Sequence, residues 1–378
     1  MSKRRIAFVL PMLVPDGGAE RIVLALTRHL DRARFEPSLI VLGEIDERAR
    51  ELVADDVELI SLSCARVRNG IRPLIRLVHE QRPDILFGGI GHLNLALASV
   101  RRLLPRKLIV MARESNVVSS INADTPMGAM TDLLYRHCYR QLDHVVCQSA
   151  DMHDDLIVNF RFPPERTSVI HNPVDGPRIR ALASAPMPTG VAAWETAPGA
   201  PTRPTRRLLA IGRLAPQKGF DLLLRAIAQI PLDSVRLAII GQGDELGRLM
   251  ALSEALGIRS RVSFLGYQAN PYAFIARADA LISSSRYEGL PNVVLEALAL
   301  NKPVIATPAP GGLREIAQRF GGVRLADAVD AGSLARAIER HCQDPQAGLA
   351  AIDVSEIALP AVIARYEALF DRLSATAS

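Results

Sequence analysis

Short apolar runs alternate with stretches of helical periodicity along most of the chain. The first run, RRIAFVLPML (4–13), predicts a buried strand, and AERIVLALTRHL (19–30) follows with apolar positions near a 3.6-residue spacing. Further strand-like runs lie at 37–43, 57–62, 84–90, 108–113 and 144–149, and helical stretches at 71–81, 93–104 and 130–141 separate them. Strands that alternate with helices predict a parallel sheet covered on both faces.

The pattern changes between residues 176 and 205, where proline, alanine and threonine dominate and periodicity is weak, as in an exposed linker. The strand–helix alternation restarts with RLLAIGRL (207–214), and LPAVIARYEALFDRLSAT (359–376) forms one amphipathic pattern. We therefore expect two Rossmann-like β/α/β domains facing a central cleft. The predicted bounds are 1–175 for the N-terminal domain, 176–205 for the linker, 206–355 for the C-terminal domain and 356–378 for a final helix.

Composition narrows the class of protein. Of the 378 residues, 49% are hydrophobic and 22% are charged, which excludes a disordered chain. Aromatic residues make up 4%, too few for the stacking platforms of proteins that bind single-stranded nucleic acid. The net charge of +5 is modest. One basic cluster, RRLLPRK (101–107), fits an anionic phospholipid or a phosphorylated substrate, and equally a solvated surface.

Cysteine usage and the N-terminus bear on location. The four cysteines form no CxxC pair and no metal-ligand spacing, which is typical of reduced thiols in the cytosol; they are Cys64, Cys138, Cys147 and Cys342. The basic and apolar N-terminus superficially resembles a signal peptide, but Pro11, Pro15 and Asp16 interrupt it, so a first strand is the better interpretation. No apolar run reaches 18 residues, and we predict no membrane-spanning segment.

Two glycine-rich loops follow predicted strands. In PDGGAER (15–21), Gly17 and Gly18 free the backbone to approach a ligand, and a helix N-terminus that attracts anions comes next; glycine turns before helices are also common without a ligand. GQGDELG (241–247) resembles a dinucleotide fingerprint, but its last glycine comes one residue late and the expected acidic partner is missing. We interpret it as a glycine turn beside a ligand and disfavour an NAD-dependent dehydrogenase.

Two further loops carry charge. GRLAPQKGF (212–220) contains Arg213 and Lys218, which could converge on a pyrophosphate or stay solvated. RYEGLPNVVLEAL (286–298) has Glu288 just outside a helix that we predict to begin at Pro291. Glu296 lies inside that helix: it either points inward, where it needs a polar partner such as two sugar hydroxyls, or shares an outer face with neighbouring polar positions.

Together these motifs resemble a known family. EGLPNVVLE (288–296) is similar to the E-x7-E element of retaining glycosyltransferases with the GT-B fold, of the large family 4 type. GGAER resembles the N-terminal glycine loop of that family, GRLAPQKGFDLLLRAI its Arg-x4-Lys diphosphate clamp, HNPVD (171–175) its interdomain entry and VSFLGYQAN its base-reading segment. The motifs occur in family order over almost the whole chain.

The resemblance implies roles for individual residues. Arg213 and Lys218 would hold the diphosphate of a nucleotide-sugar, Glu288 the sugar hydroxyls and Glu296 the ribose. The remaining predicted donor-binding residues would supply backbone or shape contacts; they are Gly17, Gly18, Gly212, Gly243, Gly266, Tyr267, Gly289, Leu290, Asn292 and Val293. The chain lacks Asp-x-Asp, consistent with the metal independence expected of GT-B enzymes, so no cofactor and no metal are expected.

One segment departs from the family pattern. Members often carry a histidine near the reacting sugar, whereas this chain has ARESN (112–116), similar to variants in bacterial capsule, exopolysaccharide and lipid-linked oligosaccharide assembly. Glu114 would take the place of the histidine and joins Arg213, Lys218 and Glu288 as a catalytic candidate. Arg113 and Asn116 would shape the sugar and acceptor site. His92 and Asn94 are further candidates, although a loop histidine and a helix cap explain them equally well.

The predicted activity is transfer of a hexose or N-acetylhexosamine from a nucleotide-diphosphate sugar, with UDP favoured over GDP, to a saccharide acceptor that is lipid-linked. We expect no nucleic acid partner, a cytoplasmic location and peripheral contact with an anionic membrane at its inner face. The alternatives are a GT-B-type nucleotide-sugar 2-epimerase and a binding-only scaffold. The Arg-x4-Lys and E-x7-E elements favour transfer over both.

Overall fold

The structure is a computed structural model that describes residues 3–14, 17–123, 125, 127–188, 205–231, 235–346 and 348–376. The chain divides into two compact units, one formed by 1–173 with 359–378 and the other by 174–358. The division falls two residues before the boundary that we predicted at 175, and the final helix belongs to the first unit.

The strands of the first unit are β1 (Arg4–Leu10), β2 (Phe35–Val41), β3 (Glu58–Ser61), β4 (Ile85–Gly88), β5 (Ile109–Arg113), β6 (His144–Cys147) and β7 (Thr167–Val169). They pair in parallel in the order β3-β2-β1-β4-β5-β6-β7. The strands of the second unit are β8 (Arg206–Ile211), β9 (Val235–Ile240), β10 (Val262–Phe264), β11 (Ala280–Ser283), β12 (Val304–Ala306) and β13 (Val323–Leu325). Their order is β10-β9-β8-β11-β12-β13, also parallel.

The described helices connect the strands. In the first part of the chain they are α1 (Gly18–His29), α2 (Glu47–Arg50), α3 (Val67–Gln81), α4 (Gly91–Val100), α5 (Val118–Ala123), α6 (Gly128–Cys138) and α7 (Ala150–Val158). The later ones are α8 (Gly176–Ala183), α9 (Phe220–Gln229), α10 (Leu246–Ala255), α11 (Tyr272–Arg277), α12 (Asn292–Ala299), α13 (Leu313–Phe320), α14 (Ala331–Gln343) and α15 (Leu359–Thr376).

The predicted fold class is confirmed, because both units are parallel sheets of the Rossmann type. Each has the doubly wound order in which the first strand lies between the second and the fourth, so a crevice forms where the chain reverses direction, at the carboxyl ends of β1 and β4 and of β8 and β11. Our prediction omitted β7 and β13, which have three residues each and lack a long apolar run. It also gave an unstructured linker from 176, whereas residues 176–183 form α8; most of the remainder, 189–204, lies outside the described residues.

Helix α8 belongs to the packed part of the second unit. One carbonyl of its last turn and one just beyond its end accept hydrogen bonds: Asn270 Nδ2 donates to Leu182 O at 2.8 Å, and Arg277 Nη2 donates to Ala185 O at 3.2 Å. Asp175 caps the first turn by accepting from the backbone N–H of Arg178. These bonds supply polar partners at both ends of this segment and fix it in the second unit.

The final helix spans the amphipathic pattern at 359–376, so it begins three residues after the predicted start at 356. It packs on the first sheet through aromatic rings, with Phe370 within 6.5 Å of Phe8, Phe35 and Phe87 by ring centroids. Arg34 Nη1 donates to Glu367 Oε2 at 2.9 Å at the rim of this contact. The prediction that the C-terminal helix packs back on the N-terminal domain is therefore confirmed.

Candidate active site

The loops of the second unit that we singled out follow neighbouring strands of one sheet. The 212–218 loop follows β8 and the 284–291 loop follows β11, and these two strands are direct neighbours at the point where the strand order reverses. The carboxyl ends of parallel strands meet at one edge, so the sequence-distant loops come together there. This edge of the second sheet is the candidate active site.

The central contact at this edge is an ion pair. Lys218 Nζ donates to Glu288 Oε1 at 2.5 Å, and Ser285 Oγ donates to the same oxygen at 2.6 Å. Glu288 is 6% exposed. A buried carboxylate needs charged or hydrogen-bonding partners, and here it has one of each. The structure thus brings together two residues that the sequence assigned to separate loops.

Hydrogen bonds from side chains to backbone carbonyls fix the two loops against each other. Ser284 Oγ donates to Lys218 O at 2.9 Å, and Gln217 Nε2 donates to Tyr287 O at 3.0 Å. Gly219 has φ +60°, and a Cβ there would overlap the carbonyl of Ser284. The left-handed conformation and the close approach both require glycine at 219.

A second ion pair joins the first turn of α9 to the 284–291 loop and was missed from the sequence. Arg286 donates two hydrogen bonds to Asp221, at 2.9 and 2.8 Å, in the forked geometry of a guanidinium and a carboxylate. The hydrogen bond from Arg286 lowers the pKa of Asp221. A sequence signal existed, since Asp221 lies in the first turn of α9 and Arg286 opens the glutamate motif, but nothing in the spacing paired them.

Arg213, the other half of the predicted clamp, is exposed. Its guanidinium makes no hydrogen bond or ion pair with any residue that the structure describes. Lys218, in contrast, is held by Glu288, and its alkyl chain runs past Gly212, where an added Cβ would lie 3.4 Å from Cδ. One cation of the predicted clamp is therefore engaged internally and the other faces solvent.

Glu296 is buried, with 5% of its surface exposed. Tyr272 OH, from α11, donates to Glu296 Oε1 at 3.2 Å. The alternative in which Glu296 shares an outer helix face is wrong, because the carboxylate points into the unit and has a polar partner there. The helix begins at Asn292, one residue later than predicted, and Pro291 is its N-cap.

The predicted glycines of the donor region have different surroundings. Gly243 has φ +155° and a Cβ there would overlap Leu214 O, while Gly266 has φ +65° and open space around it. Tyr267 is 40% exposed beside it. Gly289 O accepts from Gly312 N at 2.7 Å. The other predicted positions in this loop are buried or half-buried: Leu290, Asn292 and Val293.

In the first unit, Gly17 and Gly18 lie at the N-terminus of α1, and Pro15 and Asp16 lie outside the described residues. The carboxylate of Glu20 folds back over Gly17 and accepts from the backbone N–H groups of Ala19 and Glu20. Burial raises the pKa of Glu20. The position predicted for an anionic ligand is thus held by a carboxylate of the helix itself, which the sequence did not indicate.

Glu114 forms a buried network at the carboxyl end of β5. Asn94 Nδ2 donates to Glu114 Oε1 at 3.1 Å and to Arg113 O at 2.9 Å, and Gln148 Nε2 donates to Glu114 O at 2.6 Å. Glu114 is 3% exposed, and burial raises the pKa of Glu114 to about 7. Asn94 lies inside α4 rather than at its cap, so the cap explanation is wrong.

Arg113 is 1% exposed. Its Nη2 donates to Asn172 Oδ1 at 2.5 Å, in the HNPVD motif, and the α15 residue Tyr366 lies beside its guanidinium. Burial lowers the pKa of Arg113. The side chain therefore connects β5, the 171–175 motif and the final helix beneath the surface.

The remaining first-unit candidates are more accessible. His92 is exposed in the first turn of α4, not in a loop, and Asn116 is half-buried with its Oδ1 accepting from Val117 N at 3.0 Å. The candidates thus separate into an inner network around Glu114 and an outer pair. In the described ranges, no three histidine, cysteine or acidic side chains converge as metal ligands.

Two doubly wound parallel sheets, each with its polar loops at the carboxyl edge, are the architecture of GT-B enzymes. Residues 16–176 match the sequence profile of the family described as Glycosyltransferase Family 4, and residues 198–352 match that of glycosyl transferases group 1. A solved structure of Anabaena HepE in complex with UDP and glucose has a TM-score of 0.74 and 19% identity, covering 97% of this chain and 99% of that one.

Curated relatives agree with the profiles. The Campylobacter jejuni N-acetylgalactosamine-N,N'-diacetylbacillosaminyl-diphospho-undecaprenol 4-alpha-N-acetylgalactosaminyltransferase is 26% identical over 315 residues, 80% of this chain and 80% of that protein. The Rhizobium meliloti lipopolysaccharide core biosynthesis glycosyltransferase LpsE is 36% identical over 137 residues, 36% of this chain and 39% of that protein. The chain belongs to the group 1, family 4 type of glycosyltransferases and has their GT-B fold, which confirms the resemblance drawn from its motifs.

Proposed function

We propose that the protein is a retaining glycosyltransferase of cell-surface polysaccharide assembly. It moves a hexose or N-acetylhexosamine from a UDP-sugar to a lipid-linked saccharide at the cytoplasmic face of a membrane. The observation that carries the proposal is the contact of Lys218 with Glu288 and Ser285 at the switch point of the second sheet. It joins a cation suited to a diphosphate with a carboxylate suited to sugar hydroxyls.

The cations act on the leaving group. In the reaction the bond between the anomeric carbon and the β-phosphate oxygen breaks, and negative charge develops on the nucleoside diphosphate. Lys218 and the exposed Arg213 stabilise that charge, and such preorganised electrostatic contacts are a large part of catalysis. The acceptor hydroxyl oxygen forms the new bond on the same face of the sugar, and its proton passes to the departing phosphate oxygen. The configuration of the anomeric carbon is then kept.

The acids act on hydroxyl groups. Glu288 accepts hydrogen bonds from the donor sugar, and Ser285 holds the carboxylate in position for them. Glu296 accepts from the ribose hydroxyls, and Tyr272 orients it. A carboxylate is an acceptor only, so it suits vicinal hydroxyls that each donate one hydrogen bond.

The choice of donor and acceptor is supported by relatives. The Anabaena neighbour holds UDP and glucose, and the Campylobacter relative is named for a diphospho-undecaprenol acceptor. The protein is proposed to work without a metal, because its cations can neutralise the diphosphate. Retention of turnover in EDTA tests that part, and loss of turnover that Mg²⁺ restores would contradict it.

The first experiment is a thermal-shift series with UDP, GDP and ADP and their sugars. A ligand at about 100 times its Kd stabilises the native state by about 2.7 kcal/mol, which raises the melting temperature by several degrees. We expect UDP and one UDP-sugar to produce the largest shift. An equal response to all three nucleotides, or none, would contradict the proposed donor. NMR of the product then reads the anomeric configuration, and an inverted product would contradict retention.

A further inference from the structure

The positive charge of the chain is concentrated in one stretch. Residues 62–142 contain 12 lysines and arginines against 5 aspartates and glutamates, whereas the rest of the chain contains 33 against 35. The stretch includes α3, α4, α5 and α6 of the first unit. The excess of basic over acidic residues in the chain therefore lies within residues 62–142.

Helix α3 carries three arginines on one face. Arg68, Arg72 and Arg76 are spaced by four residues, so they lie along one side of the helix, and all three are exposed. Leu74 and Val78 lie buried on the opposite side. Within the described residues none of the three arginines forms an ion pair.

Helix α6 presents apolar side chains to solvent. Met130, Leu133 and Leu134 are 50%, 55% and 41% exposed. The inward side is occupied by Tyr135 and by Gly128, where an added Cβ would overlap Asn122 O of α5. Met130, Leu133 and Leu134 therefore do not contribute to the apolar core of the first unit.

These two helices belong to one layer. Buried side chains of α3, α4 and α6 share the apolar core on the same face of the first sheet, including Leu74, Leu97 and Tyr135. Helix α4 has no charged residue and lies in contact with both α3 and α6. Helix α4, which contacts both neighbours, therefore adds no acidic group between the arginines of α3 and the apolar side chains of α6.

Acidic groups are scarce on this layer. Among the described residues of α3, α4 and α6 the carboxylates are Glu80 and Asp132, and Asp132 accepts from Asn122 Nδ2 at 2.7 Å. At the end of α6, Arg136 donates to Asn159 O and Arg140 to Arg161 O, so these cations contact carbonyls rather than acids. In the part of the chain that the structure describes, neither arginine forms an ion pair with a carboxylate.

We propose that the α3–α6 surface, formed by Arg68, Arg72, Arg76, Met130, Leu133 and Leu134, docks the enzyme on an anionic phospholipid bilayer. Apolar side chains enter the boundary between headgroups and acyl chains, and arginines contact lipid phosphates. The inference builds on the proposed lipid-linked acceptor. It places the membrane contact on the α3–α6 surface, whereas from the sequence we considered the 101–107 cluster. In that cluster Arg101 is tied to Asp143 and to the carbonyl of Leu108.

Sedimentation with vesicles tests the surface without donor or acceptor. We expect the full chain to bind vesicles of phosphatidylglycerol and phosphatidylethanolamine and to leave phosphatidylcholine vesicles largely unbound. Each cation near an anionic surface adds to the attraction, so the triple change Arg68→Gln, Arg72→Gln, Arg76→Gln lowers the partition coefficient roughly 100-fold. The triple change of Met130, Leu133 and Leu134 to serine weakens binding that persists at high salt.

Matched controls come from the second unit. Arg178→Gln, Arg225→Gln, Arg314→Gln removes three exposed cations, and Leu246→Ser with Met250→Ser removes two exposed apolar side chains; both leave vesicle binding at the level of the unmodified chain. A far-UV circular dichroism spectrum and a melting temperature equal to those of the unmodified chain verify that the α3–α6 variants are folded.

The two proposals fail in different ways. Three results would overturn the docking surface even if UDP binds. They are no binding to vesicles, equal binding to the anionic and the phosphatidylcholine vesicles, and an equal loss of binding in the control variants. A bound and lipid-selective protein that ignores every nucleotide would instead overturn the proposed function and keep the docking surface.

Discussion

The ammonium of Lys218 and the carboxylate of Glu288 lie 2.5 Å apart although 70 residues separate them in the chain. The two loops meet because β8 and β11 are neighbours in the sheet while β9 and β10 lie on the other side of β8. The pair gives the partly buried ammonium an anionic partner and gives the buried carboxylate a charged partner in addition to Ser285. A diphosphate that binds Lys218 must therefore compete with Glu288 for the ammonium.

Replacing Lys218 by alanine should reduce kcat by about 100- to 1,000-fold, because a fixed positive charge beside the leaving group is lost. Initial rates of UDP release at saturating donor measure the effect. Lys107→Ala removes an exposed lysine of the first unit and serves as the control, with unchanged rates expected. A Lys218→Ala enzyme that turns over like the control would remove the residue from the clamp.

Glu296→Ala should weaken UDP binding by about 1–3 kcal/mol, since two ribose hydroxyls lose their acceptor. Tyr272→Phe removes the hydroxyl that orients Glu296 and should cost about 0.5–1.5 kcal/mol. Isothermal titration calorimetry compares the three proteins. If both variants bind UDP as tightly as the unmodified protein, the ribose role of Glu296 is wrong.

Gly219→Ala should destabilise the protein by about 1–2 kcal/mol or more, because alanine is strained at a φ of +60° and its Cβ overlaps Ser284 O. The matched change Gly247→Ala lies in α10 with no atom within 4 Å of the added Cβ. It should stabilise by about 0.5–1 kcal/mol through helix propensity. Urea unfolding measures both, and a shared sign would contradict the backbone argument.

Glu114 should make stability depend on pH. Burial raises the pKa of Glu114 from 4.5 to about 7, so the folded state holds this proton more tightly than the unfolded chain. The stabilisation is complete below pH 4.5 and is lost as pH rises through 7. Relative to Glu114→Gln, the unmodified protein should lose about 2–3 kcal/mol of unfolding free energy between pH 5 and pH 8.

Urea unfolding of both proteins at the two pH values gives this difference, and contributions from other groups cancel in the comparison. A constant difference between the two proteins would mean that Glu114 is ionised with an ordinary pKa. The same variant assayed for turnover indicates whether that proton matters to the reaction, which stays a prediction.

The fold was predictable because long apolar runs and 3.6-residue periodicity are local signals. The helix at 359–376 illustrates this, since its amphipathic pattern covers the same residues as the observed helix. The three-residue strand β7 could not be predicted from such a local signal. Thr167–Val169 is half-buried and has no apolar run, and it is a strand because it pairs with β6.

The sequence allowed us to predict which residues belong to the candidate site, but not which of them contact each other. The resemblance marked Lys218 and Glu288 one by one, yet nothing local indicates that they pair, or that Ser285 shares the same oxygen. Tyr272 beside Glu296 and Asn172 beside Arg113 are equally non-local, since each contact depends on sheet order. Spacing could not decide the direction of Glu296, because a buried glutamate is acceptable only once its partner is known.

The two chain connections of the second unit, at Val174 and Ala358, lie side by side as a parallel bridge, with Val174 N donating to Ile357 O at 2.8 Å. The second unit is therefore an insertion within the first, whose core takes Phe370 from the far side of that insertion. During synthesis Phe8, Phe35 and Phe87 gain their contacts with Phe370 only after α15 has left the ribosome. All residues of the inserted unit precede α15 in the chain, so we expect this unit to be able to fold before the packing of the first unit is complete.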